Sequence, residues 1–90
     1  MIDTLFIPCL RDGLVFQEVE GESLVLDNSK GLIHQLNGSA AYILTCCNGE
    51  DNIQSIIDHV IEKYSIDKDT ASNDVFQAIS SFKKLNFINE

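Results

Sequence analysis

Strand-like and helix-like segments do not alternate along this chain: three short strands come first and three helices follow, an order that excludes a parallel βαβ sheet. What remains is an α+β domain in which helices pack on one face of a small antiparallel sheet. The predicted strands run from Leu14 to Val19, Ser23 to Asp27 and Leu32 to Leu36, each rich in Leu, Val, Ile and Phe. Glu20-Gly21-Glu22 and Asn28-Ser29-Lys30-Gly31 supply the turns of a three-stranded meander.

Each helix announces itself by apolar residues at helical spacing. In the first, Ala40, Ile43, Leu44 and Cys47 fall at i, i+3, i+4 and i+7, entered through Asn37 or Ser39 and stopped by Asn48-Gly49. The second has Asn52 as N-cap and a stripe of Ile53, Ile56, Ile57, Val60, Ile61 and Tyr64 that reads as core. The third starts near Asp69-Thr70 and continues through Val75, Ala78, Ile79, Phe82 and Leu85, with Asn86 ending it in a left-handed turn. Phe76 lies about 100° from Val75 around that helix, so the apolar surface is wider than one buried stripe requires. This order of elements is winged-helix-like: a three-stranded antiparallel sheet followed by a three-helix bundle. Residues 1–13 form a separate leading segment whose apolar run Leu5-Phe6-Ile7 can dock on the domain or pair two copies into a homodimer, and 14–90 form the domain itself.

Ninety residues make one domain, and a hydrophobic share of 44% is enough for a modest core without staples. Fourteen acidic residues against six basic ones give a formal charge of −8, which repels phosphate backbones and anionic membrane surfaces, so neither nucleic acid nor membrane is expected as a partner. The longest apolar runs fall far short of a bilayer span, and no secretory signal pattern precedes the domain, so the expected address is cytoplasmic. Three cysteines, two of them adjacent, suit free thiols in a reducing compartment better than a disulfide framework.

The stretch Gly31-Leu32-Ile33-His34-Gln35-Leu36-Asn37, followed by Ser39-Ala40, Ile43-Leu44 and Cys47-Asn48-Gly49, resembles the central signature of the PqqD family. That family includes the peptide-recognition elements that serve ribosomally made, modified peptides such as lasso peptides. The resemblance continues through Ile53, Ile56 and Ile57, then Asp74-Val75, Phe82 and Phe87-Ile88, covering roughly Leu14 to Ile88. Two positions depart from the pattern: Asn48 stands where an Asp is usual before the glycine, and Asn86 where a Gly usually ends the last helix.

What the resemblance implies is a non-catalytic adaptor. It would bind the leader segment of a precursor peptide as an added antiparallel strand beside the third strand, in the groove against the third helix. It would then present that peptide to a radical-SAM enzyme, a leader peptidase or a cyclase. Strand addition draws affinity from the unpaired backbone groups of an edge and selectivity from pockets for alternate side chains. On that reading Leu32, Ile33, His34 and Gln35 form the edge, and Val75, Phe76, Ile79 and Lys83 line the opposite wall. No cofactor is called for.

Two other classes compete. A winged-helix DNA-binding regulator shares the element order, but its recognition helix needs basic residues, and the third helix offers Lys83 and Lys84 near its end against Asp67, Asp69 and Asp74. A docking subunit without peptide specificity is the other. Cys46 and Cys47 point about 100° apart on a helix and suit neither a redox pair nor a zinc site, and no pairing of Cys9, His34 or His59 with them has ligand spacing. Cys47 reads as a small core hydrophobe, His34 as a packed, hydrogen-bonded imidazole, and His59 as solvent-facing. No nucleophile elbow, phosphate loop or carboxylate pair is present, which argues against an enzyme acting alone.

Overall fold

A computed structural model describes residues 3–88. Three strands, β1 (Leu14–Val19), β2 (Glu22–Asp27) and β3 (Leu32–Leu36), form an antiparallel meander in the order β1-β2-β3. Val19 pairs with Glu22, so the first turn is Glu20-Gly21 alone. Both residues have positive φ, 52° and 81°, the mirror-image turn whose twist matches the strands it joins. The second turn is organised by Asp27, whose Oδ1 accepts from the Ser29 hydroxyl at 2.8 Å and the Ser29 and Lys30 amides at 3.2 and 3.3 Å.

The helices are α1 (Gly38–Thr45), α2 (Ile53–Tyr64) and α3 (Lys68–Lys84). Asn37 caps α1 and Asn52 caps α2, their side chains accepting from the amides of Ala40 and Ser55. The third helix begins earlier than the expected Asp69-Thr70 because Asp67 is its cap, holding the Thr70 amide and hydroxyl. Asn86 adopts φ 63° after α3, the left-handed ending expected of it. Cys47 lies beyond the last residue of α1 yet is buried.

The core sits between the sheet and the three helices. Val25 of β2 supplies its floor, Ile43 and Leu44 come from α1, Ile53, Ile56, Ile57 and Val60 from α2, and Ala71, Val75, Ile79 and Phe82 from α3. Phe87 and Ile88 close it from the far end. Tyr64, read from the sequence as core, is instead 38% exposed: its ring meets Tyr42 edge-on at 6.0 Å and its hydroxyl donates to the Gly38 carbonyl.

The leading segment lies against the domain. The Ile53 and Gln54 amides, at the entry to α2, donate to the carbonyls of Phe6 and Thr4, and the Gly49 amide donates to that of Pro8. Cys9 bridges Asn48 and Leu10 bridges Ile88. Phe6 and Leu10 turn inward, while Leu5 and Ile7 remain exposed.

Candidate peptide-binding groove

The edge position of β3 follows from the sheet order: β2 takes one side of it, and among the described residues no strand takes the other. An extended strand with one free side presents a row of unpaired N–H and C=O groups. Alternation sets what its side chains do. His34 and Leu36 turn inward and are half-buried, while Ile33 and Gln35 are exposed. Leu32 shares the parity of His34 but sits at the strand's start, 49% exposed. The His34 ring packs edge-on against Phe87 with centroids 5.0 Å apart, so its packing role holds. The expected hydrogen bond does not: among the described residues its side chain has no hydrogen-bond partner.

At the Gln35–Leu36 end of this edge opens a groove of about 300 Å³, which Leu32, Ile33 and His34 do not line. Gln35, Leu36 and Asn37 form one side, Ser39, Ala40 and Ile43 of α1 one end, and Asp74, Gln77, Ala78, Ser81 and Phe82 of α3, with Leu85, the other wall. The α1 end is fixed by Asn37, whose Oδ1 accepts from the Ala40 amide at 2.8 Å and the Ser39 hydroxyl at 3.1 Å. The floor is apolar and the rim polar, with one acid and no base in the lining.

This wall differs from the one expected. At roughly 100° per residue, Asp74, Ala78, Ser81 and Leu85 share one narrow stripe of α3, Val75 and Ile79 lie roughly a quarter-turn or more further round, and Phe76 and Lys83 come out nearly opposite the stripe. Val75 and Ile79 are fully buried, part of the core and absent from the groove lining. Phe76 is half-buried against that core, and Lys83 places its ammonium 4.6 Å from the centroid of Phe6 in the leading segment. The structure therefore brings together Leu36, Gln35 and the Asp74–Leu85 stripe, and separates from them the α3 residues singled out in the sequence. Ala78 and Leu85 carried a signal, because they flank the apolar stripe next to polar Asp74, Gln77 and Ser81.

Other chemistry is sparse. A second cavity of about 390 Å³ opens between the β1–β2 hairpin and α1–α2, where the Lys63 ammonium lies 4.9 and 5.8 Å from the Tyr42 and Tyr64 rings. Burial pushes the Cys47 thiol up to about 12 and raises that of Cys46, so both stay protonated at neutral pH. His59 is exposed, 3.7 Å from Asp51. Among the described residues no group of three His, Cys, Asp or Glu side chains is placed to hold a metal ion, and no helix is long and apolar enough to cross a membrane.

The fold has solved counterparts. A structure described as TbiB1 in complex with the TbiA(beta) leader peptide superposes with a TM-score of 0.78 at 17% identity, over 90% of this chain and 94% of that one. Lasso peptide synthetase B1 complexed with the leader peptide gives 0.81 at 19% identity, over 94% of this chain and 100% of that one. At such identity the likeness speaks for the fold. No curated protein matches the chain. Residues 22–88, from the start of β2 through the end of the core, match the family described as coenzyme PQQ synthesis protein D, and the chain belongs to that family, PqqD.

Proposed function

We propose that this domain is a non-catalytic adaptor that binds the leader segment of a ribosomally made precursor peptide by strand addition and presents it to a modifying enzyme or leader peptidase. The observation that carries this reading is the free side of β3, whose Gln35–Leu36 end opens onto a groove with an apolar floor. A guest strand would pair its backbone with Leu32–Leu36 and set alternate side chains between Leu36, Ala78, Phe82 and Leu85. That two structural counterparts are described as complexes with leader peptides supports the same assignment. On this reading Leu32, Ile33, His34 and Gln35 offer the edge, and the α3 wall is the Asp74–Leu85 stripe. Residues 3–13 serve as a strap that completes the core of the binding unit.

The test is a titration of fluorescein-labelled leader peptide, taken from a precursor gene adjoining this one, followed by anisotropy with the wild type and with Ser81→Arg. Ser81 is exposed in the groove, so the variant should fold and its long side chain should occupy the guest's place. Saturable binding near or below about 1 μM that Ser81→Arg weakens at least tenfold is expected. No binding by the wild type, with the modifying enzyme still co-purifying, would favour a docking subunit without peptide specificity.

A further inference from the structure

We propose that Asp74 selects the charge of the guest: the segment this groove takes carries a Lys or Arg side chain opposite Asp74, two to four residues from apolar side chains that fill the floor. The inference rests on the peptide-binding reading and sharpens it to a substrate class. Asp74 is half-buried in the α3 wall, and its carboxylate is the only formal charge in the groove lining among the described residues. No described Lys, Arg or His lies within ion-pair distance of it, the ion pairs found being Arg11–Asp27 and His59–Asp51. A lone carboxylate beside apolar Ala78 and Phe82, on a chain of formal charge −8, penalises an acidic guest and rewards a basic one.

Geometry sets the spacing. Along α3 the rise is about 1.5 Å per residue, which puts Ala78 about 6 Å and Leu85 about 16 Å beyond Asp74. Side chains on one face of a strand recur about every 6.6 Å. A guest running along the groove thus places a basic side chain at Asp74, an apolar one two residues on near Ala78, and another four residues on toward Phe82 and Leu85. Basic character at one position and apolar character at alternate positions is a pattern a random peptide seldom has, so the rule confers selectivity as well as affinity.

The experiment selects from a yeast-displayed library of random peptides with the wild type, Asp74→Asn, Asp74→Lys and Ser81→Arg, each first shown by circular dichroism to fold. The wild type should enrich Lys or Arg at one fixed position relative to alternating apolar residues, Asp74→Asn should lose that preference, and Asp74→Lys should replace it with Asp or Glu. Changing the basic residue of an enriched peptide to Ala should weaken binding to the wild type about five- to tenfold and leave binding to Asp74→Asn unchanged. An alternating apolar motif that Ser81→Arg abolishes but that has no fixed basic position, or a basic preference that survives in Asp74→Lys, overturns the role of Asp74 and leaves the groove reading standing. Enrichment by none of the proteins overturns the groove reading and this inference with it.

Discussion

The Arg11 guanidinium meets the Asp27 carboxylate at 2.6 Å, at the point where the leading segment reaches the end of β2. Nε of the same side chain donates to the Asn86 carbonyl, so one residue ties together the leading segment, the sheet and the exit of α3. Asp27 has no exposed side-chain surface, and a buried charge that loses its partner costs more than the pair contributes. Arg11→Ala should therefore lower the thermal midpoint by several degrees, and Arg11→Lys should recover only part of the loss, because an ammonium cannot serve both acceptors in the guanidinium's planar fork. Thermal unfolding followed by circular dichroism checks both; an unchanged midpoint in Arg11→Ala would show that the clamp is dispensable.

Two carboxylates make the fold acid-sensitive. The Ser29 hydroxyl, aided by the Arg11 charge and the Lys30 amide, holds Asp27 below the ordinary 3.8 despite its burial. Thr70, through its hydroxyl and its amide, does the same for Asp67 at the start of α3. A group whose pKa is depressed by folding stabilises the native state above its unfolded pKa, and that stability is lost as pH falls through the folded value. The thermal midpoint should be flat near neutrality and fall once pH drops below about 4. Asp27→Asn and Asp67→Asn should each start from a lower plateau or an equal one and fall less steeply. A midpoint independent of pH down to pH 3 would contradict both assignments.

The cysteines should separate by reactivity. A thiol with a pKa of about 12 is ionised to roughly one part in ten thousand at pH 8, and the thiolate is the reactive form. Cys46 is buried and raised too, whereas Cys9 is exposed. Intact-mass analysis after iodoacetamide treatment of the native protein should show one adduct, on Cys9, and three in denaturant. Rapid triple labelling without denaturant would mean that the turn after α1 opens readily.

Much of this architecture is legible in the residues. The α2 stripe from Ile53 to Val60 has one strong period and one cap, so burial and boundary were both readable, and the Glu20-Gly21 and Asn28–Gly31 turns set the strand order. What the sequence leaves open is direction around α3. Its apolar arc, spanning Ala78, Phe82, Val75, Ile79 and Phe76, says that the middle is core but not which flank faces β3. That choice depends on how α3 packs against α1 and α2 and on contacts just past its end, such as His34 with Phe87, none of which its own period encodes. Lys83 took the flank that meets the leading segment, and the leading segment itself has no periodicity from which its docking could be read.

The two flanks of α3 make fold and binding separable. Ile79 is fully buried in the core, so Ile79→Ala removes packed methylenes and leaves a cavity, at a cost of about 2–5 kcal/mol. Ser81, two residues on and exposed in the groove, contributes no packing, and Ser81→Arg should shift stability by less than about 0.5 kcal/mol. Urea unfolding and leader titration on both variants should thus give opposite patterns. Ile79→Ala loses stability but, at temperatures where it remains folded, keeps its affinity for the leader; Ser81→Arg keeps its stability and loses its affinity. If Ile79→Ala weakened binding while fully folded, and Ser81→Arg did not, the guest would sit elsewhere on α3 and the groove beside β3 would be an ordinary surface depression.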